Sequence, residues 1–402
     1  MKTILLLSLI STSSFAHDVA VKSETVITSL AQAKAVGGVI LSKDEASNTA
    51  VAFLTRFQID QLSKLNHFQR KCAGFETLSG AEINQPGQLL EQLKTVDAKI
   101  KNLGLLKFSN LDWNETYQKL IDQANPVSLR EDVEWISSYP NRYNRSDKPN
   151  QHVEDLKVKL QEWLKDSKWA FKTDFISHQS TKQNTLRLTI PGKLRPNEVI
   201  VLGAHFDSIN HSYFGNTDHA PGADDNASGS SNLIEALKIL KTTEQPERTL
   251  EFYWYAGEES GLLGSAEIAK EAKAKNKDVI AVLQLDMTLY PGSGEQVIGL
   301  VDDYTSPWLR ELLTSINNTY VKARMINDSC GYACSDHASW HRQGYHAVTP
   351  FEATTETMNS NLHTEKDVIE QQSSFQHSNS FTKLALLFGL VLGNSNIRPP
   401  TF

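Results

Sequence analysis

The chain has 402 residues, with 40 Lys+Arg against 47 Asp+Glu and a hydrophobic fraction of 40%. Its formal net charge of −7 argues against a nucleic-acid partner, and the ordinary apolar and charged fractions exclude global disorder. No apolar run is long enough to cross a bilayer as a helix, which excludes a multispan membrane protein.

The first residues, MKTILLLSLISTSSFAHD, read as a secretory leader over 1–16. Lys2 supplies the positive start, residues 4–10 the apolar run, and Ser14 and Ala16 the small residues before a cleavage point. The expectation is an exported protein in an oxidising compartment. Residues 17–125 show helix-friendly stretches at 24–36 and 50–65, a lone Cys72 and no recognisable chemistry. They predict a small, mainly helical N-terminal region of propeptide type, joined through a linker-like segment at 102–126.

After residue 125 the pattern changes. Amphipathic helices are predicted at 128–136 and 153–164, and Leu186, Leu188 and Ile190 alternate with polar residues as a half-buried strand does. Continuous apolar strands at 199–203, 250–256, 279–285 and 297–301 then alternate with helices at 231–240, 266–274 and 307–320. This predicts a three-layer α/β domain over 126–402 with a central mixed, mostly parallel sheet.

In such sheets ligands collect beyond the carboxyl ends of the strands. His205 and Asp207 follow the first of these strands, Glu258 and Glu259 the second, and Asp286 the third, while Asp224 and Asp225 precede a helix. One carboxylate at a strand end is commonly a helix cap or a solvated loop residue. Five or more converging there repel one another and raise each other's pKa. Divalent cations resolve that conflict, and histidine with carboxylates is a zinc ligand set. More acids than one tetrahedral ion needs implies two metals sharing a carboxylate.

Taken in order, GAHFDS, APGADDNASG, YAGEESGLLGS, LQLDMT, CGYACSDHASWH and the later Leu362-His363 closely resemble the secreted bacterial leucyl aminopeptidases of the di-zinc M28 peptidase family. The resemblance runs from about residue 128 to 392 and implies a zinc-exopeptidase fold with two Zn2+ per chain. It assigns His205 and Asp286 to one ion, Glu259 and His363 to the other, and Asp225 as the bridge, preferred over Asp224 on its spacing from His205. By the same likeness Glu258 is the general base, Tyr332 an oxyanion donor, and the Asp225–Asn226 peptide is cis. Asp207, two residues past His205 on an extended chain, is placed to orient that imidazole. Cys330 and Cys334 pair as a disulfide, because no second cysteine pair completes a zinc ribbon and the compartment is oxidising. His337 and His341 lack the glutamate of a helical zinc motif and are read as structural. Met287, Val301, Phe351, Met358 and Leu362 are expected to wall a pocket for a large apolar first side chain. The implied partners are peptides with a free N-terminus, acted on by a monomer.

Three rivals remain. A metal-free binding protein would not need a full ligand set. A glutaminyl cyclase shares related motifs. A carboxypeptidase needs a cation for the substrate carboxylate, yet windows 203–229, 254–264, 283–290, 328–340 and 349–365 contain no Lys or Arg.

Overall fold

A computed structural model describes residues 23–68, 74–78, 80–102, 111–211 and 219–399. The expected leader at 1–16 and Cys72 lie outside the described residues. Among those residues no helix is long and apolar enough to cross a membrane.

The N-terminal region departs from the helical expectation. It forms β1 (Ser23–Ser29), α1 (Leu30–Ala35), β2 (Val39–Asp44), β3 (Thr49–Thr55), α2 (Arg56–Phe68), β4 (Phe75–Thr77) and α3 (Pro86–Asn102). Its four strands make one sheet in the order β2-β3-β1-β4. The stretches at 24–36 and 50–65 are therefore each a strand running into a helix. The β-branched run Thr25-Val26-Ile27-Thr28 favours the pleated conformation, and Ser29 then caps α1 by accepting from the Gln32 amide at 3.2 Å.

Helix α4 (Glu115–Ile121) packs into the main core through Ile121. The chain continues through α5 (Pro126–Ser137), α6 (Gln151–Trp163), β5 (Lys172–Ile176), β6 (Thr185–Ile190), β7 (Arg195–His205), α7 (Gly229–Leu240), β8 (Arg248–Tyr255), α8 (Leu263–Ala274) and β9 (Asp278–Gln284). It ends with β10 (Val297–Val301), α9 (Pro307–Ile316), β11 (Arg324–Asp328), α10 (His337–Arg342), β12 (Ala347–Val348), β13 (Pro350–Phe351) and α11 (Phe375–Gly393). The central sheet has the order β12-β9-β7-β8-β6-β5. Its β12–β9, β9–β7 and β7–β8 pairings are parallel, and β8–β6 and β6–β5 are antiparallel. One expectation is corrected: 297–301 leaves this sheet and joins a separate three-stranded one, β11-β10-β13.

Register explains where the acids meet. His205 aligns with Tyr255 on one side, and Gly203 with Gln284 on the other. Three neighbouring parallel strands thus end level, which places His205, Glu258–Glu259 and Asp286 along one edge. Gly257, at φ +64°, makes the sharp turn into Glu258 that a side chain would resist.

The N-terminal region docks against this edge. The Thr77 amide donates to the Gly261 carbonyl at 3.1 Å, just past the two glutamates. A Cβ at Gly261 would lie 2.6 Å from Thr77 Oγ1, so the close approach requires glycine. Glu76 and Arg342 form an ion pair across the seam, with side chains 4% and 5% exposed. Burial pushes the Glu76 carboxyl above its ordinary range, and the Arg342 guanidinium opposes that shift. Arg342→Met would remove the opposing charge, and the folded state would hold the Glu76 proton still more tightly than the unfolded chain. Such a penalty is small below the usual glutamate pKa and grows as pH rises above it. We expect Arg342→Met to cost about 3 kcal/mol at neutral pH, the typical loss on breaking a buried pair. Melting curves should show the gap to the parent protein narrowing toward about pH 4.

Candidate metal centre

The five residues assigned as ligands meet in two overlapping groups. The ligand atoms of His205, Asp225 and Asp286 lie within 4.8 Å of one another, and so do those of Asp225, Glu259 and His363. Asp225 belongs to both groups. Its Oδ1 lies 3.0 Å from His205 Nε2 and its Oδ2 3.0 Å from His363 Nε2. His205 Nε2 is also 3.2 Å from Asp286 Oδ1, and His363 Nε2 is 2.9 Å from Glu259 Oε2. All five side chains are buried.

This arrangement fits a metal better than it fits bare side chains. His205 Nδ1 lies 3.2 Å from the Asp207 carbonyl oxygen, which can only accept, so Nδ1 carries the hydrogen. In the neutral ring Nε2 then presents a lone pair to two carboxylates, a repulsion that either a proton on Nε2 or a metal cation between them relieves. Burial alone would lower the His205 pKa, but the surrounding Asp286, Asp207 and Asp225 carboxylates raise it well above the usual value. The same contest, with Glu259 and Asp225, lifts His363 to about 10. Burial together with Asp225 lifts Glu259 to about 7, against the opposing pull of His363. The pocket thus favours positive charge at both Nε2 positions, and a dication would displace the protons that otherwise supply it. Histidine nitrogens with carboxylate oxygens suit zinc.

Glu258 is fully buried beside this cluster, and neither of its carboxylate oxygens has a hydrogen-bond partner among the described residues. Burial pushes its pKa well above the ordinary range; His205 opposes, while Glu259, Asp286 and Asp336 add to the rise. Asp207 does more than the expected support of His205. Its carboxylate accepts from the Glu258 and Glu259 amides at 3.0 and 3.3 Å, fixing the turn that carries both glutamates.

Several residues were not assigned a supporting role from the sequence, although the cis peptide at Asn226 was expected. Asp367 accepts from the Asp224 and Asp225 amides at 2.9 and 3.0 Å. Ser335 donates to Asp286 Oδ2 at 2.6 Å. Asn226 donates to the Leu285 carbonyl at 2.9 Å, tying the Asp225 loop to the strand end before Asp286, and the Asp225–Asn226 peptide is cis. Arg142, fully buried, donates to the carbonyls of Ile136, Phe206, Pro221 and Gly222. Only Asn226 and Ser335 carried a signal, since they sit inside the quoted motifs; Arg142 and Asp367 lie outside them.

Cys330 and Cys334 are joined by a disulfide. Tyr332, in that loop, is half-buried and lines a small cavity of about 30 Å³ with Ile27, Phe75, Tyr304 and Arg342, at the seam with the N-terminal region. Met287, Met358 and Leu362 form a buried apolar cluster with Phe351 packed against it. Val301 is buried on β10, next to Leu300, whose strand partner is Pro350. His337 and His341 are buried away from both ligand groups, His337 Nε2 lying 3.1 Å from the Asp303 carbonyl oxygen and His341 Nε2 3.4 Å from Asp97 of α3.

Paired histidine–carboxylate sets at the carboxyl edge of a mixed sheet make a candidate two-metal centre. The description "Peptidase family M28" matches residues 186–386. A probable leucine aminopeptidase of Trichophyton verrucosum is 35% identical over 267 residues, spanning 65% of this chain and 72% of the relative. Another, from Arthroderma otae, is 38% identical over 277 residues, spanning 67% and 73%. The crystal structure of the LapA aminopeptidase of Legionella pneumophila superposes with a TM-score of 0.79 at 24% identity, covering 93% of this chain and 99% of that one. That share is too large to be confined to the part after residue 125, so the shared fold includes part of the N-terminal region. The chain belongs to peptidase family M28. Its relatives include fungal proteins, so the likeness is wider than the bacterial enzymes named above.

Proposed function

We propose that the chain is an exported zinc aminopeptidase acting as a monomer, with two zinc ions per molecule. It removes the first residue, preferably a large apolar one such as leucine, from peptides with a free N-terminus. The observation that carries this reading is the pair of ligand groups sharing Asp225, with a buried, donor-free Glu258 beside them. The leucine aminopeptidases among the relatives support the substrate class.

His205, Asp225 and Asp286 would hold one ion, and Asp225, Glu259 and His363 the other. Ions there would polarise the scissile carbonyl and acidify the attacking water. Glu258 takes the proton of that water and delivers it to the departing amine. Asp207 fixes the Glu258–Glu259 turn through both backbone amides, which supports the reading of Glu259 as ligand and Glu258 as base. The family likeness alone supports Tyr332 as a donor to the oxyanion of the tetrahedral intermediate; its place in the structure is the seam cavity with Ile27, Phe75, Tyr304 and Arg342. The acidic surroundings attract the substrate ammonium, while Met287, Phe351, Met358 and Leu362, with Val301, receive the first side chain. The leader and the Cys330–Cys334 disulfide support export.

Each buried CH₂ contributes about 0.8 kcal/mol, so leucyl substrates should exceed alanyl ones in kcat/KM by roughly one to two orders of magnitude. An initial-rate panel of aminoacyl anilides, with free and acetylated termini, tests this. Equal rates for leucyl and glutamyl anilides would rule out the apolar pocket. Turnover of acetylated leucyl anilide would rule out the aminopeptidase itself.

A further inference from the structure

A cavity of about 500 Å³ opens between α2 of the N-terminal region and the catalytic domain, and Glu259 is part of its lining. It therefore adjoins the metal centre, where a second lining residue, His211, packs edge-on against ligand His363 with ring centroids 5.1 Å apart. Its lining shares no residue with the apolar cluster of Met287, Met358, Leu362 and Phe351. Two chemically different surfaces thus converge on one reaction centre.

The charges in this cavity come from outside the motif windows. Arg56 and Lys64 are contributed by α2, and Arg145 by the segment after α5; besides the ligand Glu259, the lining holds one carboxylate, Asp60. Glu24 Oε1 lies 3.6 Å from each guanidinium and forms an ion pair with both, which keeps the two arginines side by side. Arg56 also donates to the Tyr143 hydroxyl at 3.2 Å and lies 3.3 Å from Asp60. Each arginine side chain remains 31% exposed, so both can meet a ligand from solvent.

We propose that this cavity receives the departing part of the substrate and that Arg56 and Arg145 bind its free α-carboxylate. This deepens the aminopeptidase reading above and rests on it. An exopeptidase substrate divides at the scissile bond into a first residue and a remainder. With the first side chain in the apolar cluster, the remainder lies in the basic cavity. The one charge every such remainder carries is its terminal carboxylate. An extended residue spans about 3.5 Å, so the carboxylate of a di- or tripeptide falls within a few ångströms of the scissile bond. A cavity of this size suits a small ligand, and guanidinium pairs well with carboxylate. The N-terminal region is then part of the working substrate cleft, which departs from its propeptide-like reading in the sequence.

The test compares kcat/KM for Leu-Leu, Leu-Leu-amide and acetyl-Leu-Leu, with leucyl anilide alongside, on the full chain and on its Arg56→Gln and Arg145→Gln variants. The parent protein should prefer the free acid to the amide by about ten- to a hundredfold, the range for hydrogen bonds to a charged group. In each variant that ratio should fall several-fold toward one. Because acid and amide are compared in the same preparation, the ratio does not depend on how much of a variant is folded. Equal rates for acid and amide in the parent protein would overturn the proposal and leave the aminopeptidase reading standing, as the anilide would show. A preference unchanged in both variants would overturn the arginine assignment. Cleavage of acetyl-Leu-Leu would mark a carboxypeptidase and overturn both readings.

Discussion

Replacing Glu258 with alanine is expected to lower kcat by two to four orders of magnitude while leaving the zinc content near that of the parent protein. General-base contributions are about 10²–10⁴, and no other described carboxylate in the cluster is both buried and without a hydrogen-bond donor on either oxygen, apart from ligand Glu259. The lost side chain makes no hydrogen bond, so its removal should not disturb the turn that Asp207 fixes through the backbone. Kinetics and metal analysis on the same sample check this. Loss of a metal in the Glu258 variant would show that the adjacent glutamates have exchanged roles.

Asp225→Asn is expected to weaken both metal positions at once. Asp225 alone belongs to both ligand groups, each oxygen 3.0 Å from a different imidazole Nε2. An amide keeps the shape but loses the charge and one of the two acceptor oxygens. Zinc per chain should fall well below two, with activity falling alongside. Asp286→Asn should by contrast weaken chiefly the His205 position, since Asp286 belongs to one group only. Retention of both ions and full activity after Asp225→Asn would refute the bridging role. Zinc measured after dialysis at fixed free metal distinguishes the two variants.

The catalytic domain was legible because its signals are local. Apolar runs of strand length alternate with amphipathic helices, and the acids stand at the strand ends, where register brings them level. His363 carried no such positional signal; only its Leu-His neighbourhood resembled the family. The N-terminal region was less legible. Strand runs directly into helix at Ser29–Leu30 and at Thr55–Arg56, so a window spanning the junction mixes a period of two with one of 3.6. The strand at 297–301 was correctly read as a buried strand, but its departure to a second sheet depends on pairing with β11 and β13, which no local pattern states. Arg142 and Asp367 were illegible for a similar reason. Each acts on backbone carbonyls or amides of segments remote in sequence, so neither residue type nor spacing marks them.

The basic cavity shows the limit of reading motifs one window at a time. The windows around the ligands contain no Lys or Arg, which told against recognition of a substrate carboxylate there. The fold nevertheless brings Arg56 and Arg145 to a cavity that includes Glu259. The acidic centre lies within the catalytic domain, whereas the two arginines come one from α2 of the N-terminal region and one from the segment after α5.

The most direct test of the di-metal centre is a zinc titration of chelator-stripped full-length protein, following hydrolysis of leucyl anilide at each added equivalent. Stripped protein is expected to be inactive, with rates rising as zinc fills the sites and levelling near two equivalents per chain. Full turnover in metal-free protein, or a plateau at one equivalent with no further gain, would contradict it.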